Sequence, residues 1–162
     1  MAEILKQIFV VIFLVQILVG QGQLNINVIL NQNFDCQTKL GQILMFNFWP
    51  NYEDDFIRSL IRDYKIGNFN LVGEYQNEQQ VERIADLIKE EAKKYLPLPP
   101  LIAVDEEGYI KRLPFLNSIP QSNLKDVDSA YREAFKRGQE LKKLGFNMVF
   151  SPVLDFTEDK ED

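Results

Sequence analysis

Short apolar runs alternate with longer amphipathic stretches along the chain. Four of the runs have the length and the apolar content of buried β-strands. They cover residues 40–48, 69–72, 101–104 and 147–150. The run at 101–104, LIAV, is apolar at every position, which is typical of a strand buried on both faces. We therefore expect strands at these four places.

Apolar residues recur at helical spacing in the intervals between these runs. Asn51 is expected to cap a first helix, which ends at Gly67. The clearest helical stripe covers 79–95, and prolines follow it. A third helix is predicted over 126–144, with Gly145 as its stop.

The third helix is predicted to have an apolar face and a wet face. The inward positions are expected to be Val127, Ala130, Ala134, Gly138, Leu141 and Leu144. Glycine in that stripe is expected to permit close packing. The solvated face is expected to carry Lys136, Arg137, Lys142 and Lys143.

Apolar strands separated by amphipathic helices predict an α/β fold with a parallel sheet covered by helices. Parallel sheets place their chemistry at the carboxyl ends of the strands. Two acidic residues are expected there: Asp105 directly follows the third strand, and Asp155 follows the fourth. Arg112 lies in the loop after Asp105, where it would bind a polar substrate group or pair with Asp105. The competing interpretations are loop-capping aspartates and a surface arginine.

The amino terminus has the order of an export signal. Twelve residues, 8–19, contain a single polar side chain, Gln16, and small residues follow them. We expect residues 1–22 to be a signal peptide, because the run is short for a membrane span. An uncleaved anchor or a buried helix is the alternative. The protein is then secreted, periplasmic or held at the cell surface, with membrane contact only through this segment, and residues 23–39 form a linker.

Composition excludes several classes of function. The 162 residues are 46% hydrophobic and 26% charged, which indicates a globular chain. A net charge of -6 argues against a nucleic-acid partner. With no histidine and one cysteine, the sequence offers neither a His-based catalytic site nor a disulfide framework nor a thiolate metal cluster. No cofactor or metal is expected, and the acidic tail, 157–162, is expected to be solvated.

Four motifs resemble glycoside hydrolase family 3, in the family's order. LGQILMFNF and IGNFNLVGE resemble its first two strands. LPPLIAVDEEGYIKRL and LKKLGFNMVFSPVLDF resemble its "PLLIAVDQEGG" and "APVLDV" segments. The form of the third motif is closer to the β-N-acetylhexosaminidase branch than to the β-glucosidase branch. The expected domain is therefore a partial family 3 barrel over 40–156.

The resemblance implies a (β/α)8 barrel that hydrolyses β-linked sugars with retention, on glycans with terminal N-acetylhexosamine. It implies that Asp105 binds hydroxyls of the terminal sugar and that Arg112 helps to bind it. It also implies a place for Asp155 at the rim of the site. Gly108 is followed by Tyr109 rather than by a second glycine, so Asp105 and Arg112 are one residue closer than in the family pattern.

A full barrel of this type needs about 250 residues, and four strands line only half of one. We expect the sequence to be the first half of a TIM-type barrel, about four β/α units, whose partner is the missing carboxyl-terminal half. The family's acid/base and nucleophile segments are not in these residues, so no catalytic residue is assigned and little activity is expected. The alternatives are a non-catalytic carbohydrate-binding protein, a non-functional gene fragment and a small complete α/β enzyme.

Overall fold

Four strands and four α-helices alternate in the residues described by the computed structural model, 34–106 and 112–152. In chain order the elements are α1 (Cys36–Ile43), β1 (Met45–Phe48), α2 (Asp54–Arg62), β2 (Asn68–Leu71), α3 (Glu78–Tyr95), β3 (Leu101–Asp105), α4 (Val127–Lys143) and β4 (Met148–Phe150). A short 3-10 turn, Gln121–Asn123, precedes α4. The predicted alternation of strands and helices is confirmed.

The strands form one parallel sheet in the order β1-β2-β3-β4. Phe48 aligns with Leu71, Leu71 with Val104, and Val104 with Val149. Each strand is therefore reached from its neighbour through a helical crossover, as parallel pairing requires. All four carboxyl ends lie at the same edge of the sheet.

Side chains alternate between the two faces of the sheet. One face belongs to the hydrophobic core that the strands share with the helices. By register it carries Phe46, Phe48, Phe69, Leu71, Ile102, Val104 and Val149. The opposite face carries Met45, Asn47, Asn68, Asn70, Leu101, Ala103, Asp105, Met148 and Phe150. Asp105 thus lies on the face turned away from the helices.

The first predicted strand, 40–48, is wrong in its first half. Residues 36–43 form α1, whose N-cap Asp35 accepts a hydrogen bond from the Thr38 amide at 2.7 Å. A short apolar run does not by itself distinguish a strand from a buried helix turn. The contact of α1 with the turn before β2 is backbone to backbone: a Cβ at Gly41 would lie 2.0 Å from the carbonyl oxygen of Lys65.

The start of α2, which is the first helix predicted from the sequence, is also corrected. The structure begins α2 at Asp54, with Glu53 as its N-cap, and no side chain caps it. Asn51 lies in the preceding turn and is not the cap. Asp54 and Asp55 in the first turn interact favourably with the helix dipole.

The predicted faces of α4 are only partly correct. Leu141 and Leu144 are buried, and Gly145 ends the helix with a φ of 97°. Val127 is 84% exposed, however, and a Cβ at Gly138 would have no neighbour within 4 Å in the described structure. The physical reason is that the described sheet ends at β4, so nothing among the described residues covers this side of α4. The buried residues of α4 are instead Glu133, Arg137 and Leu141.

Two asparagines secure the amino-terminal edge of the sheet. Asn147 Oδ1 accepts from the Ile102 amide at 2.7 Å, and its Nδ2 donates to the carbonyl of Pro100 at 2.9 Å. Asn68 Nδ2 donates to the carbonyls of Gln42 and Leu44. These amides supply partners to backbone groups where regular pairing begins.

A charged cluster joins α2 to α3. The buried carboxylate of Glu91 accepts hydrogen bonds from Lys94 and from Arg58, which lies on α2. The Lys94 hydrogen bond, with the charges of Lys94 and Arg58, holds the pKa of Glu91 below its ordinary value of 4.5. A carboxyl group whose pKa is lowered by folding stabilises the folded state at pH values above its ordinary pKa. This contribution is lost as the pH falls through the lowered pKa.

Replacing Glu91 with Gln should therefore flatten the acid side of the stability profile. The free energy of unfolding of the native chain should fall below about pH 4.5, and that of Glu91→Gln should fall less steeply. Urea unfolding at several values between pH 7 and pH 3 measures this. Glu90→Gln, at an exposed neighbouring position, is the control. Parallel profiles for the native chain and Glu91→Gln would contradict the assignment.

Candidate functional site

Asp105 is the last residue of β3 and is hydrogen-bonded into the sheet opposite Phe150 of β4. The preceding residues, Ile102, Ala103 and Val104, are fully buried, whereas Asp105 is half-buried. The apolar run LIAV forms the buried part of the strand, and the carboxylate of Asp105 comes directly after it, at the strand's end. The carboxylate stands at the carboxyl edge of the sheet, as predicted, on the face opposite the helices.

The face that carries Asp105 has further polar side chains one layer below it. Asn70 of β2 donates from Nδ2 to Oδ1 of Asn47 on β1, at 3.2 Å. Oδ1 of Asn70 is buried and has no hydrogen-bond partner among the described residues. The inward layers of a closed barrel are dominated by bulky apolar residues. This face is therefore more polar than a purely structural barrel interior.

Arg112 is half-buried at the start of the described part of the loop, and its Nε has no partner among the described residues. Its carbonyl accepts a hydrogen bond from the Tyr75 amide at 3.1 Å. No ion pair joins Arg112 to Asp105 within residues 34–106 and 112–152. Of the two roles predicted for Arg112, pairing with Asp105 is not realised, and binding a polar group remains.

Tyr75 connects the ends of β1 and β2 to this loop. Its ring is fully buried, and its hydroxyl donates to the carbonyl of Phe48 at 2.9 Å. Burial raises the pKa of Tyr75 well above its usual range, so the phenol stays protonated and remains a donor. Its amide donates to Arg112 and its hydroxyl donates to the end of β1, so Tyr75 links the described part of the loop at Arg112 to the sheet.

A buried ionic pair fixes the same loop from the helix side. Glu133 and Arg137 of α4 are each 7% exposed, and Oε1 of Glu133 lies 3.2 Å from Nη2 of Arg137. Arg137 donates to the carbonyls of Glu106 and Ile119. The prediction that Arg137 lies on the solvated face is wrong. Its spacing, seven residues after Ala130 and four before Leu141, is the signal that would have placed it on the buried face.

Asp155, predicted at the rim beyond the fourth strand, lies outside the described residues. Just after β4, Oγ of Ser151 accepts a hydrogen bond from Nε2 of Gln121 at 2.7 Å. Asp105 therefore ends β3 at this edge, and Arg112 lies in the described part of the loop that follows it.

An apolar cavity of about 260 Å³ lies away from Asp105, between α4 and the outer side of β4. Its apolar lining includes Leu124, Ala130, Ala134, Leu141, Val149 and Pro152. It is on the helix-covered face of the sheet, so it does not belong to the candidate site. Among the described residues, no group of three acidic or Cys side chains is placed to hold a metal ion.

The chain is similar in sequence to proteins of one family. The family model of the glycosyl hydrolase family 3 N terminal domain matches residues 36–162. A search of curated protein sequences finds no match.

Three solved structures share the fold. A family 3 β-N-acetylglucosaminidase from Paenibacillus sp. is 29% identical, with a TM-score of 0.62 over 75% of this chain and 24% of its own. A fungal multi-domain β-N-acetylglucosaminidase of the same family is 25% identical, with a TM-score of 0.68. The match covers 77% of this chain and 16% of the fungal chain. A β-N-acetylhexosaminidase from Beutenbergia cavernae is 21% identical, with a TM-score of 0.71. The match covers 81% of this chain and 41% of the other chain. The sequence thus spans less than half the length of each of these chains.

The described fold is that of the first half of a TIM-type barrel, as predicted. The helices, strands and strand order of the sheet account for about four β/α units. Within the described residues, none of the helices has both the length and the apolar content needed to cross a membrane.

Removing the hydroxyl of Tyr75, which donates to the Phe48 carbonyl of β1, should lower the stability of the fold by a measurable amount. In Tyr75→Phe the Phe48 carbonyl keeps its bond from the Val72 amide, so the loss is one buried hydrogen bond. The free energy of unfolding should fall by about 0.5–1.5 kcal/mol. Urea titration followed by circular dichroism measures it. Tyr64→Phe, at an exposed tyrosine, should change little, and equal values for the two variants would refute the role of Tyr75.

Proposed function

The chain belongs to the glycosyl hydrolase family 3 N-terminal domains, and we propose that it forms the sugar-binding half of a β-N-acetylhexosaminidase barrel. Glycosidase function is proposed for the complete barrel, and the match to a glycosyl hydrolase family supports it. The preference for N-acetylhexosamine is supported by the relatives at 29% and 25% identity, both of which are β-N-acetylglucosaminidases. The proposed substrate is a glycan with a terminal β-linked N-acetylglucosamine.

The observation that carries the proposal is the placement of Asp105. A half-buried carboxylate at the carboxyl end of a central strand accepts hydrogen bonds from neighbouring sugar hydroxyls. We propose that Arg112, whose Nε lacks a protein partner among the described residues, donates to the same sugar. Asp155 is proposed as a third contact, on its position in the sequence motif alone.

We propose that four further β/α units close the barrel around this sheet, as in any (β/α)8 fold. The side of α4 beyond β4 supports this, because it exposes an apolar surface. Val127, Tyr131 and Phe135 are 84%, 69% and 57% exposed, at a spacing of four residues. The rings of Tyr131 and Phe135 stack with centroids 6.2 Å apart. Unpaired strand edges and exposed apolar helix faces are normally covered in a stable protein.

We propose that these 162 residues bind the sugar without hydrolysing it by themselves. The sequence contains no histidine, and the resemblance implies that the family's acid/base and nucleophile segments lie outside these residues. A retaining glycosidase needs two catalytic groups that flank the bond. We propose that hydrolysis also uses groups from the other half of the barrel. The second candidate function is carbohydrate binding alone, without any part in hydrolysis, and the buried Arg112 Nε that lacks a partner among the described residues favours it.

We also propose that residues 1–22 direct export of the protein. The proposal is based on the apolar run at 8–19. Expression in a secreting host should yield an exported protein whose intact mass lacks the first 22 residues. Leu14→Arg interrupts the apolar run and should abolish export, whereas Gln16→Leu should preserve it. An exported protein of uncleaved mass would instead indicate an anchor, and retention of the native chain inside the cell would refute the signal.

Removing the Asp105 carboxylate should weaken sugar binding. Charged hydrogen bonds contribute about 1.5–3 kcal/mol, so Asp105→Ala should raise the Kd for N-acetylglucosamine by about 10- to 100-fold. Isothermal titration calorimetry measures the Kd, and circular dichroism checks the fold. Asp86→Asn, at an exposed carboxylate on α3, should bind like the native chain.

A chromogenic β-N-acetylglucosaminide assay completes the test. The native chain is expected to bind the sugar and to release no chromophore. Turnover that disappears in Asp105→Asn would refute the non-catalytic assignment. Absence of binding at millimolar sugar, or equal binding by Asp105→Ala, would refute the proposed site.

A further inference from the structure

One helix holds the loop that follows β3 at two points on its backbone. Nη1 of Arg137 donates to the carbonyl of Glu106 at 3.3 Å, and Nη2 donates to the carbonyl of Ile119 at 2.7 Å. Glu133 completes the arrangement, because its Oε1 accepts from the Ile119 amide at 2.9 Å and from Nη2 of Arg137 at 3.2 Å. We call this pair of α4 side chains, Glu133 and Arg137, the loop clamp.

Both clamp residues are removed from water, which is costly for charged groups. Each is 7% exposed, and Glu106, the residue whose carbonyl Arg137 holds, is 1% exposed. A buried ion pair is weak support for stability, because well-packed apolar residues often serve as well. What apolar residues do not offer is a planar fork of donors that reaches two backbone carbonyls at once. The clamp therefore fixes geometry in a way that packing alone does not.

The fixed backbone is that of the candidate sugar site. Glu106 directly follows Asp105, so the peptide that Arg137 holds also sets the direction in which the chain leaves β3. Ile119 lies beyond Arg112 in the same connection to α4. Lys136, on the same helix, adds a longer contact of 3.4 Å to the carbonyl of Asn117.

We infer that Glu133 and Arg137 are positioning residues for sugar binding, which hold Asp105 in its binding orientation through the backbone of Glu106 and Ile119. This inference rests on the proposed function of Asp105. Neither clamp residue is proposed to contact the sugar. They restrict the conformations of the unbound site, so less conformational entropy is lost when the sugar binds. Their loss should weaken the affinity for sugar while the sheet stays folded.

The test compares three variants with one control. Arg137→Met keeps the length and apolar stem but removes the donors, and it should raise the Kd for N-acetylglucosamine at least about ten-fold. Arg137→Lys keeps the charge but not the fork, so its Kd should be intermediate. Glu133→Gln keeps an acceptor for the Ile119 amide and should also be intermediate. Arg132→Met, at an exposed arginine on the same helix, should bind like the native chain.

Amide hydrogen exchange on the same variants separates positioning from general stability. The Ile119 amide should lose protection in Arg137→Met, while amides of β2, such as Leu71, keep theirs. If Arg137→Met does not fold, Arg137→Lys and Glu133→Gln carry the comparison. Equal loss of protection in β2 and at Ile119 would mean a merely structural role and would overturn the inference.

The outcomes also distinguish this inference from the proposed function. If the native chain binds sugar and Arg137→Met and Arg137→Lys bind it within two-fold, the inference fails and the proposed function stands. If the native chain binds no sugar, the proposed function fails, and with it the role of the clamp in binding. The exchange data then still report whether Arg137 fixes the Ile119 backbone.

Discussion

Parallel pairing of β3 between β2 and β4 is the constraint on which the rest of the structure depends. It requires a crossover helix between successive strands, and it brings the carboxyl ends of all four strands to one edge. Ile102 and Val104 pack on the helices, so their neighbour in the alternation, Asp105, faces the other way. The position of the candidate sugar-binding carboxylate is a direct consequence of this pairing.

The two faces of the sheet have different tasks. The helix-covered face is apolar and supplies the core, which buries Phe48, Phe69 and Leu71 completely. The other face carries the Asn47–Asn70 hydrogen bond beneath Asp105. Polar groups there need partners, and those that the described residues leave unsatisfied, such as Oδ1 of Asn70, mark a surface suited to a polar ligand or to further polar side chains.

The described parts of the connection after β3, Glu106 and residues 112–119, are held by contacts to backbone groups rather than by a large core of their own. Tyr75 holds the Arg112 carbonyl from the β2 side, and the loop clamp holds Glu106 and Ile119 from α4. These contacts engage backbone groups, so they constrain where the chain runs whatever the loop side chains are. Such preorganisation favours ligand binding, because less conformational freedom is lost on association.

The sequence by itself determined the alternation of four strands with the three helices between them, the helix over 79–95, the stop at Gly145 and the position of Asp105, because these depend on local periodicity and turn chemistry. The resemblance carried by four motifs predicted the family. Only the tertiary structure decided that residues 36–43 are helical, that α4 exposes Val127, and that Tyr75 donates to the Phe48 carbonyl. These features depend on which distant backbone groups need partners and on where the sheet ends, and neither is encoded in local spacing.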